Sequence, residues 1–181
     1  MKKYKATTSS EIAGSVMRNF FVGLNRNEFI TIVERKLAEA GIDTIHDDEW
    51  YPLQMTLDIL KAISELPNVT QSLVALGVGH VQRAAFPPEA TTIEATLLLL
   101  DTVYKFNLRN FAEDEGFEVM RTGDRHIQVI DRTPFSHETI YGFIWGITDR
   151  FRSTDCYPMV VRTFENEADP HSGGAVYDIS W

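Results

Sequence analysis

Apolar residues recur at helical spacing over roughly the first 110 positions, and the strongest such pattern runs from Thr91 to Asn110. One face of a helix over this segment is apolar, and a narrow polar ridge that includes Asp101 and Lys105 opposes it. The apolar face comprises Ile93, Leu97, Leu100, Tyr104 and Leu108, and Leu99, Val103 and Phe106 widen it. Thr91 precedes Glu94 by three positions, as in a capping box. We therefore predict one long, mostly covered helix around which the chain is organised.

Four further helices are predicted before this segment, each from an apolar stripe bounded by capping or breaking residues. They run from Ser9 or Ser10 to about Leu24, from about 28 to Gly41, from Pro52 to Leu66, and from Asn68 to about Phe86. Gly77 and Gly79 lie inside the fourth, where glycine lowers helix propensity, and they indicate close packing or a kink.

After Asn110 the apolar period changes from helical to alternating, which is typical of strands. A hairpin is predicted over Phe117–Arg132, a helix over 135–151, and a second hairpin in which Ala175, Tyr177, Ile179 and Trp181 point one way. The predicted fold is therefore α+β, with five N-terminal helices followed by hairpin, helix and hairpin, and with the four strands in one antiparallel sheet. We expect one domain over 1–181, its helical part at about 9–110 and its sheet-plus-helix part at about 115–181.

Composition places the chain among soluble globular proteins. Its 181 residues are 44% hydrophobic and 24% charged, with a formal net charge of -9. Basic residues are scattered, so nothing indicates binding to nucleic acid or to an anionic membrane surface. No apolar stretch approaches the length of a membrane helix, and no signal peptide follows Met1. We expect a cytoplasmic protein without membrane insertion.

Candidate chemistry is sparse. The histidines at 46, 80, 126, 137 and 171 have no metal-binding spacing, and the single cysteine, Cys156, excludes an internal disulfide. Nucleophile-elbow, phosphate-loop and dinucleotide motifs are all absent. We predict no enzyme activity, no catalytic residue and no metal site.

Several segments carry a family resemblance. The order of helices, hairpin, helix and hairpin, with LDTVY at Leu100–Tyr104 and SHETIYGFIWG at Ser136–Gly146, resembles the heme nitric-oxide/oxygen-binding (H-NOX) domains and the related four-vinyl-reductase-type ligand-binding domains. GID at Gly41–Asp43, EWYP at Glu49–Pro52 and YDISW ending at Trp181 resemble a large paralogous family of uncharacterised myxobacterial proteins. The resemblance implies a ligand-sensing fold.

The resemblance also implies where heme-binding residues would stand. Tyr104 occupies the position of the histidine that ligates iron in the heme domains. Their Y-x-S-x-R propionate motif matches Pro134–Glu138, where only Ser136 is retained and Glu138 replaces the arginine. The leading expectation is therefore that no cofactor is bound, and the alternative is heme.

Three functional hypotheses follow. The first is a non-enzymatic sensor or protein-interaction domain with a possible small apolar ligand between the central helix and the sheet, lined by Phe86, Leu97, Leu100, Tyr104 and Trp145. The second is a heme or tetrapyrrole gas or redox sensor that uses Tyr104 or His80 as the iron ligand. The third is a ligand-free scaffold that presents an edge strand or an exposed face to a partner protein or to a second copy.

Overall fold

The computed structural model describes residues 3–7, 9–22, 24, 26–169 and 173–181, and it confirms an α+β fold. Its helices are α1 (Gly14–Phe21), α2 (Asn27–Glu39), α3 (Leu53–Ser64), α4 (Thr70–Arg83), α5 (Ile93–Leu98), α6 (Leu100–Phe106) and α7 (His137–Phe151). Its strands are β1 (Glu11–Ala13), β2 (Trp50–Pro52), β3 (Leu108–Arg109), β4 (Gly116–Gly123), β5 (His126–Arg132), β6 (Met159–Phe164) and β7 (Ala175–Ser180). Among the described residues, no helix combines the length and the hydropathy that crossing a membrane requires.

The predicted four-stranded antiparallel sheet is present, with strand order β4-β5-β7-β6. Val129 of β5 pairs with Val119 on one side and with Tyr177 on the other. Ala175, Tyr177 and Ile179 are all fully buried, so the predicted inward alternation is confirmed for these three, whereas Trp181 follows β7 and is only partly buried against the core. The predicted turn before β7 includes Pro170, His171 and Ser172, which lie outside the described residues.

A second sheet, of three short strands in the order β2-β1-β3, was not predicted. The prediction that the first helix begins at Ser9 or Ser10 is therefore wrong: Ile12 lies in β1 and pairs with Tyr51 and Leu108, and α1 begins only at Gly14. Ile12 is 1% exposed. A strand buries this side chain between two others, and a helical turn there would forfeit both pairings.

The predicted central helix is in fact two helices and a strand, so six helices precede the first hairpin instead of five. Leu99 separates the two helices as the C-cap of α5 and the N-cap of α6. Thr92 rather than Thr91 caps the start of α5, its Oγ1 accepting a hydrogen bond from the Ala95 amide at 3.1 Å. Phe106, predicted to widen the covered face, is 82% exposed. A run of apolar residues this broad exceeds what one straight helix can bury against a single core. The Asp101–Lys105 ion pair is confirmed, at 2.8 Å.

Helices α4 and α7 pack backbone against backbone through glycines, which confirms the close packing predicted at Gly77. A Cβ on Gly77 would overlap the carbonyl oxygen of Thr139, and one on Gly142 would overlap that of Val74. One on Gly146 would lie 3.2 Å from the Val78 Cα. The contact joins the helical part of the chain directly to the helix that covers the sheet.

Candidate functional site

The five predicted lining residues lie in different surroundings. Leu97 and Leu100 are buried in the hydrophobic core. Phe86 packs edge-on against Phe151, with ring centroids 5.2 Å apart. Tyr104 meets the first hairpin, whereas Trp145 lies on the outer side of α7. Trp145 lines a surface pocket between α4 and α7, whereas the other four line neither this pocket nor a smaller one beside α4.

Tyr104 is held as a hydrogen-bond donor. Its hydroxyl donates to Glu115 Oε1 at 2.6 Å, and its ring packs edge-on against Phe117. Burial, and after it the adjacent Glu115 carboxylate, raises the pKa of Tyr104 well above its usual value. Burial also raises the pKa of Glu115. Tyr104 therefore remains a neutral phenol at neutral pH, and an iron-ligating phenolate is disfavoured.

His80 of α4 is enclosed by aromatic rings. Its ring centroid lies 4.4 Å from that of Phe20 and 5.8 Å from that of Phe143. Its buried Nδ1 has no hydrogen-bond partner among the described residues. Burial, with a smaller contribution from the charge of Arg83, lowers the pKa of His80 to about 4. The imidazole is therefore neutral at neutral pH, the form that binds metals, although its Nδ1 is sealed inside the core.

The segment that resembles the propionate motif has other roles here. Ser136 caps α7, with its Oγ accepting a hydrogen bond from the Thr139 amide at 3.1 Å. Glu138 Oε1 lies 3.9 Å from the Arg162 guanidinium and is only partly exposed. Ser136 thus serves the helix start, and Glu138 presents a negative charge where the motif supplies a positive one.

A buried polar cluster beside this segment was missed in the sequence analysis. Lys3 Nζ donates to Asp131 Oδ2 at 2.8 Å and to the Thr133 carbonyl at 2.9 Å. The Tyr177 hydroxyl donates to the carbonyl of His137. The two charged partners are 128 positions apart. No local pattern could have paired them, although Asp131 inside an otherwise apolar strand face was a usable signal.

The larger surface pocket lies between the outer sides of α4 and α7 and has a volume of about 520 Å³. Trp145 and Tyr141 contribute aromatic rings from α7. The α4 side is formed by residues at helical spacing, namely Gln71, Val74, Ala75, Val78, Gly79 and Gln82. A second pocket, of about 270 Å³, shares Gln71 and Ala75 and extends to Phe29 and Arg83. Both pockets are open to solvent, and no group of three or more potential metal ligands occurs among the residues described.

Comparison with solved structures identifies similar folds. An H-NOX protein from K. algicida, in the Fe(II) unliganded state, has a TM-score of 0.65 at 13% identity, over 93% of this chain and 96% of that chain. An H-NOX protein from S. oneidensis in the Fe(II)NO state has 0.59 at 11% identity, over 92% and 97%. An oxygen-binding H-NOX domain related to soluble guanylate cyclases has 0.58 at 15% identity, over 92% and 89%.

These similarities show an H-NOX-like fold over nearly the whole chain. At such low identity they concern the fold alone. No protein-family model matches the sequence, and comparison with curated proteins gives no match. The finer resemblance to the myxobacterial family stays a prediction.

The residues that the resemblance assigns to heme do not fit that group in this structure. Tyr104 is a hydrogen-bonded phenol, Glu138 has the wrong charge for a propionate, and Ser136 is engaged in capping.

Proposed function

We propose that this chain is a non-enzymatic sensor or protein-interaction domain that receives a small apolar ligand between the outer sides of α4 and α7. The proposal rests mainly on the position of Trp145. This large aromatic residue is 41% exposed and faces the small residues Ala75 and Gly79 across the pocket. Small-molecule sites commonly have such volumes and combine aromatic walls with a few polar groups.

Polar groups at the pocket fit a ligand that carries one hydrogen-bonding end. Gln71 and Gln82 lie three turns apart on α4, and their amides both donate and accept hydrogen bonds. Among the described residues that line this pocket, none carries a charged side chain. An uncharged, mainly apolar molecule is therefore favoured over an anion or a cation, because an ion would lose its hydration without gaining a counter-charge.

The pocket is placed to act on the helix contact beneath it. Val74 and Val78 line the pocket, and their backbones are the same ones that abut Gly142 and Gly146 of α7. A ligand that enters between Val78 and Trp145 would press on the contact between α4 and α7, where the two backbones are already as close as they can pack. Tightly packed interfaces respond to small local shifts by moving whole elements, which is the property a sensor needs.

Titration with the uncharged fluorescent probe phenylnaphthylamine tests the proposal. We expect saturable binding that Trp145→Ala weakens at least tenfold and that Ala75→Leu, which fills the pocket from α4, abolishes. Phe106→Ala is the matched control, since it removes an exposed aromatic residue outside the pocket. Equal binding by all four proteins would refute the pocket, and absence of binding to the wild type would favour the ligand-free scaffold.

A heme or tetrapyrrole sensor is the second candidate. It is favoured by the H-NOX-like fold together with His80, a neutral buried imidazole whose Nδ1 has no partner among the described residues. Axial ligation by histidine is common in heme proteins. Our proposal predicts a colourless protein and no sharp Soret band when hemin is added. A sharp band that His80→Ala or Tyr104→Phe removes would make this candidate the leading one.

A further inference from the structure

Residues 3–7, here called the arm, lie against the junction between β5 and α7. The Tyr4 amide donates to the Pro134 carbonyl at 2.7 Å. The side chain of Gln54 holds the arm from α3, donating to the Tyr4 carbonyl and accepting from the Ala6 amide, each at 3.0 Å. The Lys3 side chain enters the interior, where it is 1% exposed and the Asp131 side chain is fully buried.

The chamber around the Lys3 ammonium contains more polar atoms than Lys3 satisfies. Thr133 Oγ1 and both ring nitrogens of His137 are buried without a hydrogen-bond partner among the described residues. His137 Nδ1 lies 3.7 Å from Asp131 Oδ2, which is too long for a hydrogen bond. Unsatisfied buried polar groups are uncommon and costly, and several in one place suggest a binding site.

We propose that Asp131, Thr133 and His137 form a buried binding site for a primary ammonium group, that Lys3 is its internal occupant, and that a small alkylammonium ion takes its place when the arm withdraws. The site goes beyond the pocket of the proposed function and shares no residue with it. The arm then acts as a built-in competitor for an amine ligand.

The donor set selects an ammonium ion over a metal ion. The Asp131 carboxylate and the Thr133 carbonyl accept two of the three hydrogen bonds that an ammonium group donates, and the carboxylate neutralises its charge. Asp131 and His137 are not joined by a third residue into a group that could hold a metal ion, within the part of the chain that the structure describes. A divalent cation would need further ligands, whereas an ammonium ion needs the acceptors already present.

Electrostatics at the site keep the acceptor charged. Burial alone would raise the pKa of Asp131, but the nearby Lys3 charge, then the adjacent His137 imidazole, the Lys3 hydrogen bond and Thr133 outweigh it and lower that pKa. Other ionisable groups around the site are His137, Tyr177, Glu138 and Arg162. Without a cation, the Asp131 carboxylate would be a buried, unpaired charge, which is strongly unfavourable.

Hydrogen bonds and modest apolar contacts attach the arm, so withdrawal must break a small, defined set of interactions. Apart from those of Lys3, they are the backbone bond of Tyr4 to Pro134, the two bonds to Gln54, the bond from the Ser10 amide to the Thr7 carbonyl, and the contacts of the Tyr4 side chain with Ser64 and Ser136. Ala6 is buried against the core. Tyr4 has a φ of 60°, a left-handed conformation that a residue with a side chain rarely adopts. Short segments outside the regular elements commonly open locally without global unfolding.

Chemical rescue tests the site. Lys3→Ala should lower the melting temperature, and propylammonium chloride should restore it in a saturable way. Tetramethylammonium chloride at the same concentration is the control for ionic strength, since it carries the charge but has no N–H to donate. Lys3→Ala combined with Asp131→Asn should show no rescue. Equal effects of the two salts, or rescue without the Asp131 carboxylate, would overturn the proposal.

Two further measurements keep the test decisive. If Lys3→Ala does not fold, Lys3→Met retains the apolar stem, and the refolding yield with propylammonium replaces the melting temperature. In the wild type, propylammonium should accelerate hydrogen exchange of the Tyr4 amide several-fold relative to tetramethylammonium, because the displaced arm loses its bond to Pro134. Unchanged exchange would mean that free amines do not compete with Lys3, and would overturn the exchange step.

Discussion

The fold opposes protonation of the His80 imidazole, so the free energy of unfolding should depend on pH. Its pKa is about 4 in the folded chain, below the ordinary value of 6.5, because it is buried. Between these two values the unfolded chain binds a proton that the folded chain does not. The contribution of the neutral, buried His80 to the stability of the folded chain is therefore fully present above pH 6.5 and is lost as the pH falls toward 4. We expect a loss of about 3 kcal/mol in the free energy of unfolding over this range.

Urea unfolding at a series of pH values measures this loss, and His80→Phe is the control because phenylalanine suits the ring cluster with Phe20 and Phe143. Glu115 contributes with the opposite sign, since its pKa is raised in the folded chain and its protonation there adds stability as the pH falls. The difference between wild type and variant isolates His80. Parallel pH profiles would show that His80 is not buried as a neutral ring.

At this scale, sequence reasoning predicted residues whose partners are close in the chain. The burial of His80 followed from its stripe, and an acidic residue at Glu138 suited the first turn of α7. The pairing of Lys3 with Asp131 could not be predicted, since it depends on how distant segments meet. The bond from Tyr104 to Glu115 was missed because the helix was expected to continue past Asn107, which would have carried Glu115 away from Tyr104.

Among the elements, the contact between α4 and α7 allows a sharp comparison of two glycines. Gly77→Ala should destabilise the protein by about 1–3 kcal/mol, because its methyl group would overlap the Thr139 carbonyl and neither backbone can yield. Gly79→Ala gains the same helix propensity, about 1 kcal/mol, and its methyl group meets only the end of the flexible Arg83 side chain. We expect it to be neutral or stabilising.

Chemical denaturation of both glycine variants measures the difference, in which the shared propensity gain cancels. Equal stability of Gly77→Ala and Gly79→Ala would mean that the two helices do not approach as closely as described. A kink at Gly77, the other interpretation of the sequence, would have tolerated the methyl group.

Elements with a sustained period were predicted well, and short ones were not. Helices α2, α3, α4 and α7 follow apolar stripes of three turns or more and begin or end near the predicted residues. Strands β1, β2 and β3 have three residues or fewer, which is too short for an alternating pattern to register. The break at Leu99 was hidden for a different reason: a run of leucines is apolar on every face of a helix, so its pattern does not reveal where one helix ends and the next begins.

For the whole molecule, we expect one cooperative unfolding transition. Neither hairpin is stable alone, and the α4–α7 contact ties the helical part to the sheet part. Tryptophan fluorescence, from Trp50 in β2, Trp145 in α7 and Trp181 after β7, should change together with far-ultraviolet dichroism on heating. Two separate midpoints would instead indicate two domains.

The overall architecture was predictable because the order of helices and hairpins can be read from the sequence pattern without identity at individual residues. The H-NOX-like fold is accordingly supported by structures that are only 11–15% identical to this chain. The pocket was not predictable. It is formed by the outer sides of α4 and α7, and sequence patterns report which side of a helix faces inward far better than what two outward sides form together.

The small three-stranded sheet also bears on how the chain reaches its native state. It joins Ile12 to Tyr51 and Leu108, and a hydrogen bond links Ser10 to Asn110, 100 positions later. Closing so long a loop costs entropy that only an already ordered intervening chain can reduce. The hairpin of β4 and β5 needs no such preparation. The small sheet should thus close late in folding, so that weakening it hastens unfolding and leaves the folding rate nearly unchanged.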